Sequence, residues 1–267
     1  MLKQRVITAL VIAPIVLALI FFAPDKLFAF AMLLMALVGA GEWSALAGRP
    51  SRNARITLVI FFAVLVSLGL SLQRYFPQVP WLRNYCLLAL VWWLFSLVWI
   101  AFWRANFPAS VKVACGVLTL LPSLAAVVAI RNASPWYLLI QLLITSGADI
   151  GAYFAGRAFG MHKLAPQVSP GKTWEGVVGG VVLVAVVALI ADHWLPVAPL
   201  PLISLSICVA LLSVVGDLSE SLFKRQAGLK DSGTLFPGHG GVLDRVDSLT
   251  AAAPLFWLGL HAMGVLP

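Results

Sequence analysis

The chain alternates long apolar runs with short polar connections. A membrane-crossing helix needs about 20 mostly apolar residues. Nine stretches fit that description: 6–23, 27–47, 56–72, 86–103, 111–130, 135–157, 174–195, 199–222 and 250–266. Two connections are long, 158–173 and 223–249. Both are rich in Gly, Pro and charge, so neither suits hydrocarbon. The pattern predicts an all-α, polytopic integral membrane bundle of about nine transmembrane helices, one membrane domain over 1–267. Within it, 1–134 reads as embedding helices and 135–250 as a core carrying the two polar loops. The first span follows Lys3 and Arg5, and its apolar length exceeds the usual core of a secretory signal, so an uncleaved anchor is expected.

Composition points the same way. Apolar and aromatic residues make up 61% of the 267 and charged residues only 10%, with a mean hydropathy of +0.99. A soluble domain carries about 25% charged residues. Disorder, a collagen-like chain and a disulfide scaffold are excluded. Cys86, Cys115 and Cys208 lie singly in apolar runs and read as small buried hydrophobes. Many of the tryptophans fall near span ends, such as Trp81, Trp136 and Trp194, and read as interfacial anchors.

The formal charge of +8 would suggest nucleic acid in a soluble protein. Here it fits loops facing the cytoplasm. With the N-terminus inside and sides alternating, fourteen of the eighteen Lys and Arg fall on the cytoplasmic side. Only Lys26, Arg74, Arg83 and Arg131 fall outside. The C-terminus is then outside. The acids Glu42, Asp149, Glu175, Asp217, Glu220, Asp231, Asp244 and Asp247 gather on the inner side too, leaving Asp25 and Asp192 outside. Acids hardly influence topology, so a polar site facing the cytoplasm is the natural reason.

Charge within a span is costly and usually functional. Asp149, Tyr153 and Arg157 share one helix face, either as a site or as a structural Asp–Arg pair; Gly147, Gly151 and Gly156 allow close approach beside it. Asp217, Glu220, Ser221 and Lys224 form a second stripe ending at Arg225. Carboxylates suit a hard cation, and Lys224 and Arg225 suit phosphate or membrane-surface anchoring. The loop QAGLKDSGTLFPGHGGVLDRVDSL concentrates Lys230, Asp231, His239, Asp244, Arg245 and Asp247. Its glycines supply N–H groups that could cradle phosphate. Asp244 and Asp247 share a face if a helix starts there. His239 suits loop organisation or a phosphate contact better than a general base. No zinc spacing occurs, which favours magnesium. Gly171-Lys172-Thr173 is not a P-loop: Pro166 stands where the motif needs Gly, and no strand is expected before it. Ser169, Lys172 and Thr173 could still bind phosphate at the next helix start, where Glu175 reads as a capping acid. Snorkelling is the default for Glu42.

Three stretches resemble one family: Ser221-Leu-Phe-Lys224-Arg225 with Lys230-Asp231-Ser-Gly233 and Pro237-Gly-His239-Gly240-Gly241-Val-Leu-Asp244-Arg245-Val-Asp247; Ala148-Asp149-Ile-Gly151-Ala152-Tyr153-Phe154-Ala-Gly156-Arg157; and Ser169-Pro170-Gly171-Lys172-Thr173-Trp174-Glu175-Gly176. They are similar to the phosphatidate cytidylyltransferases, strongly over about 145–250 and only in hydropathy before. Gly171 departs from the pattern, which commonly has Lys there. The resemblance implies CMP transfer from CTP to phosphatidate, giving CDP-diacylglycerol and diphosphate. It further implies magnesium, with a second cation such as potassium allowed, an inner-membrane homodimer with 1–134 contributing to the dimer scaffold, and Asp217 and Asp244 as metal ligands. Asp247 and Asp149 are weaker metal candidates. Lys224 and Arg225 are assigned to catalysis. Ser169, Lys172, Thr173, Ser221, Lys230, His239 and Arg245 are assigned to substrate. Competing expectations are a CTP-dependent lipid kinase, a transporter of an anionic substrate, and a membrane scaffold.

Overall fold

Apolar length sets the helices, and proline, serine and glycine set their ends. The computed structural model describes residues 2–103, 105–191, 197–236, 238 and 240–266; Arg104, Asp192, Trp194 and His239 lie outside them. The helices are α1 Leu2–Phe22, α2 Asp25–Leu46, α3 Arg52–Tyr75, α4 Trp81–Val98, α5 Ala109–Ala133, α6 Pro135–Phe159, α7 Trp174–Ala191, α8 Pro199–Gln226 and α9 Leu243–Ala262. A π-helical turn, Trp99–Trp103, prolongs α4. Ser51 accepts the Ala54 N–H at the start of α3. Ser134 caps α6, with Pro135 in the first turn, where a missing N–H costs nothing.

The result is the expected all-α membrane bundle. Among the described residues, seven helices, α2 to α8, are long and apolar enough to cross a bilayer. Large apolar side chains face outward in stripes, as lipid requires: Ile60, Val64 and Leu68 on α3, and Val178, Val182, Val186 and Leu189 on α7.

α6 and α7 pack most closely. A Cβ on Gly151 would lie 2.6 Å from the Gly179 carbonyl oxygen, and one on Gly180 would lie 2.7 Å from that of Ala148. Small residues thus bring two backbones together, as read from the sequence. A second aromatic core joins α2, α5 and α8. Trp43 packs against Phe223 with centroids 5.2 Å apart and donates its indole N–H to the Lys112 carbonyl at 2.8 Å. Gly116 leaves the space for that ring. Far from this core, the buried Arg131 guanidinium joins α5 to the α1–α2 turn, pairing with Asp25 and donating to the Ile20 and Ala23 carbonyls.

Four expectations change. Segment 158–173 is not wholly loop: β1 Lys163–Ala165 pairs antiparallel with β2 Ser169–Thr173, so a short strand does precede the Gly-Lys-Thr triplet. α9 starts at Leu243, seven residues before the apolar run, because its charged first turn is held by polar partners described below. Trp43, Trp92, Trp93, Trp99 and Trp257 are buried core residues rather than interfacial anchors. Cys208 is exposed on α8, on a lipid-facing surface that an apolar thiol tolerates, whereas Cys86 and Cys115 are buried.

Candidate active site

The last turns of α8 supply the first half of the site. Asp217, Ser221 and Lys224 project from one face, as their spacing requires. The Ser221 hydroxyl donates to Asp217 Oδ1 at 3.2 Å. Lys172, carried by β2, places its ammonium 2.7 Å from Asp217 Oδ2. The hairpin is fixed for this purpose at both ends. Thr173 accepts the Gly176 N–H at 3.1 Å and so caps α7. Glu175 accepts the His162 N–H at 3.1 Å and meets its ring Nδ1 at 2.6 Å. Arg225 reaches back to the Val168 carbonyl at 3.4 Å. Asp149 on α6 is exposed and within electrostatic reach of Lys172, Asp217 and Arg245. Asp247 on α9 is within reach of Asp217, Lys224 and Lys172.

The second half is a hub around Asp244. Lys224 Nζ lies 2.7 Å from Asp244 Oδ1 and 3.1 Å from Glu220 Oε1. Asp244 Oδ2 accepts the Ser232 N–H, the Ser232 hydroxyl and the Gly241 N–H, each at 2.8 Å. That oxygen is saturated by the loop; Oδ1 keeps a second lone pair. Behind the hub stands Glu42 of α2. Its carboxylate accepts the Val242 and Leu243 N–H groups at 3.0 Å each, and the Ser232 hydroxyl at 3.2 Å.

Asp149 of the α6 stripe therefore meets the α8 stripe, and α9 brings Asp244, Arg245 and Asp247 to them. Several side chains have other duties than expected. Thr173 is buried and caps a helix, its hydroxyl oxygen accepting the Gly176 N–H. The Gly241 N–H is taken by Asp244, and those of Val242 and Leu243 by Glu42, so these donors do not form a phosphate cradle. Glu42 is only 6% exposed and does not snorkel. Arg157 donates to the Tyr153 hydroxyl at 3.1 Å. Lys230, Asp231 and Arg225 are exposed at the rim and Ser169 is half-buried on the hairpin. His239 is outside the described residues.

Glu42 is the residue sequence reasoning undervalued. Its signal was present: an acid in the last turn and a half of an apolar span, followed by Trp43, has no lipid-facing role.

Among the described residues, no three His, Cys, Asp or Glu side chains are grouped so as to hold a metal ion unaided. Magnesium is ordinarily held by one or two carboxylates with phosphate and water completing its shell. Asp217 with Asp149 or Asp247 provides hard oxygen donors of that kind. Among the described residues the neighbourhood includes the carboxylates of Glu42, Asp149, Asp217, Glu220, Asp244 and Asp247 and the bases Lys172, Lys224 and Arg245, with Asp231, Arg225 and Lys230 at its rim, so acids outnumber bases. Such a site attracts cations and repels bare anions. Beside it runs an apolar cleft between α2, α5 and α9, lined by Met35, Leu120, Leu124, Val246 and Leu249.

Residues 3–263 match the Cytidylyltransferase family. A Pseudomonas aeruginosa protein named phosphatidate cytidylyltransferase is 41% identical over 99% of this chain and 98% of its own length. A Haemophilus influenzae protein of the same name is 38% identical over 96% of this chain and 97% of its own. A Brucella suis protein of that name is 51% identical over 41% of each chain. With a match spanning nearly every helix and both polar loops, the chain belongs to the cytidylyltransferase family.

Proposed function

We propose that the chain transfers CMP from CTP to phosphatidate, releasing diphosphate and leaving CDP-diacylglycerol in the membrane. The observation that carries this is the cluster of acids and bases where α6, α8 and α9 meet the β-hairpin, in a bundle whose full-length relatives bear that name. A phosphate oxygen of phosphatidate is already ionised, so it attacks the α-phosphorus of CTP without a general base. The bond from that phosphorus to the β-phosphate bridge breaks, and diphosphate departs with the electron pair. Such transfer depends mainly on positioning and charge neutralisation.

Both substrates are anions, and the cluster carries more acids than bases. A divalent cation held by these carboxylates would resolve that conflict. Magnesium, held by Asp217 with Asp149 or Asp247 and open to Oδ1 of Asp244, would supply charge neutralisation for the triphosphate. Ser221 orients the Asp217 carboxylate through its hydrogen bond. Lys172, on its flexible stem, exchanges Asp217 for a phosphate oxygen when the carboxylate is engaged elsewhere. Lys224 keeps Asp244 fixed. Arg245, Arg225 and Lys230, exposed at the rim, meet the outer phosphates, with Ser169 on the hairpin beside them. The apolar cleft at the first turns of α9 lets acyl chains stay out of water.

The site end of the bundle faces the cytoplasm in this proposal, with the N-terminus inside and the C-terminus outside the inner membrane; the distribution of Lys and Arg supports it. A homodimer, to which 1–134 contributes, is proposed on the resemblance alone, and the mass of the detergent-solubilised particle checks it.

The test is incubation of purified protein with phosphatidate and magnesium and each of the four nucleoside triphosphates, following diphosphate. Release with CTP alone, lost on chelation and restored by magnesium, is expected. Release of CDP instead would transfer the site to the lipid-kinase reading. No turnover with uptake into liposomes would favour transport.

A further inference from the structure

A carboxylate buried among apolar helices is retained only where donors compensate its lost hydration. Among the described residues Glu42 has three such donors and no cation: the N–H groups of Val242 and Leu243 and, shared with Asp244, the Ser232 hydroxyl. All three belong to one segment, 232–243, which leads directly into Asp244. Two of them are free N–H groups at the start of α9, where a negative charge is favoured by the helix dipole. The segment is also shaped to admit this side chain. A Cβ on Gly241 would lie 2.5 Å from both Glu42 oxygens, and one on Gly233 would collide with Oε1. Two glycines of the loop are thus small because Glu42 occupies the space.

The contact continues to the site. Ser232 offers one hydroxyl hydrogen and stands between two carboxylates, 3.2 Å from Glu42 Oε2 and 2.8 Å from Asp244 Oδ2. Asp244 in turn holds Lys224. We infer that Glu42, from the N-terminal half of the chain, is a positioning residue for the transfer reaction. It clamps the loop and the first turn of α9 so that Asp244 and Lys224 present a fixed geometry to the substrates. This rests on the proposed CMP transfer for its kinetic readout. Partners of this kind, one contact removed from the reacting groups, typically change activity about 10- to 100-fold.

The experiment uses the full chain in detergent or nanodiscs, as wild type, Glu42→Gln, Glu42→Ala, Ser232→Ala and the Glu42→Gln/Ser232→Ala double variant. Arg131→Met, at the opposite end of the bundle, controls for lost stability. Glu42→Gln keeps one acceptor for the two amides and loses the other, so kcat should fall about 10-fold, and about 100-fold in Glu42→Ala. KM for CTP should stay within about twofold, because Lys172, carried by the hairpin and paired with Asp217, makes no contact with Glu42. The double variant should be no worse than about twice the poorer single one, as expected of groups acting in series. Arg131→Met, at matched loss of thermal stability, should keep wild-type kcat. A kcat drop in Glu42→Gln no greater than in Arg131→Met, or fully multiplicative effects of Glu42 and Ser232, would overturn the inference. Amide hydrogen exchange tests the same clamp without turnover. Exchange at 232–243 should accelerate in Glu42→Gln while α3 and α6 stay protected, and unchanged exchange there would overturn the clamp. A wild type that releases no diphosphate from CTP with phosphatidate would instead sink the proposed function, and the exchange result would still judge Glu42.

Discussion

Asp217 and Asp244 resemble each other in sequence, yet the structure separates their consequences. Asp244→Asn removes one oxygen from a carboxylate that meets an ammonium at 2.7 Å and three donors at 2.8 Å. The remaining carbonyl oxygen can serve Ser232 and Gly241. The new amide N–H₂ then faces the Lys224 ammonium, donor against donor. The side chains of Lys224 and Asp244 are only 11% and 6% exposed, so solvent does little to replace the lost partner. Breaking a buried pair costs about 3–5 kcal/mol, and Glu220, 3.1 Å from Lys224, keeps the cost near the lower end. A loss of about 3 kcal/mol corresponds to about 6–12 °C in Tm for a chain of this size. Asp217→Asn differs. Lys172 and Asp217 are 24% and 28% exposed, so the pair is partly screened and contributes about 1 kcal/mol or less. Its Tm should fall by no more than about 4 °C. Both variants should lose about 100- to 1000-fold in CTP-dependent diphosphate release, the usual consequence of removing one charge-stabilising group. Tryptophan fluorescence during heating, with diphosphate release at a permissive temperature, measures both quantities. Equal Tm losses in the two variants would refute the separation, and wild-type turnover in Asp217→Asn would remove it from the site.

Other consequences are as specific. Lys172→Met should leave Tm nearly unchanged and lower kcat/KM for CTP about 10- to 100-fold, read from initial rates at varied CTP; an unaffected kcat/KM would take Lys172 off the substrate. Gly151→Ala places a methyl group 2.6 Å from the Gly179 carbonyl oxygen, so α6 and α7 must separate, at about 1–3 kcal/mol in detergent unfolding. Arg131→Met should cost about 1–3 kcal/mol, since it leaves the Ile20 and Ala23 carbonyls without their donor while water replaces it at the exposed Asp25, without changing kcat. Removal of magnesium with a chelator should abolish turnover without shifting Tm by more than a few degrees, because Lys172, Lys224 and the loop N–H groups already satisfy the carboxylates.

Much of the fold was legible because lipid imposes one rule, that every backbone group in hydrocarbon be paired internally. Among the described residues each of the nine apolar runs falls on a helix, and Gly151 with the Gly179-Gly180 pair makes the α6–α7 contact. What hydropathy could not see was polar compensation. Hydropathy places the last apolar span at 250–266 and leaves a helix start at Asp244 only as a condition for Asp244 and Asp247 to share a face. In the structure Asp244 lies in its first turn, held by Lys224 and Ser232, and Glu42 accepts the Val242 and Leu243 N–H groups just before it. Tryptophan misled for a related reason: an amphipathic ring near a span end suits an interface, but Trp43 finds a carbonyl partner inside the bundle and is better buried.

The same distinction explains how the site residues divided. Periodicity found the groups that share a helix face, Asp217 with Ser221 and Lys224, because a face is a local property. It missed Glu42, whose partners lie about 200 residues away in sequence and include backbone N–H groups, which carry no residue identity. Yet the loop retained an indirect trace. Gly241 reads in sequence as freedom for a phosphate, when its lack of a Cβ, like that of Gly233, makes room for a carboxylate. A glycine-rich turn leading into a helix favours any anion. Here the protein supplies the anion itself, Glu42, to the N–H groups of Val242 and Leu243, which is why the proposed function gives the phosphates to Lys172, Arg225, Lys230 and Arg245 instead.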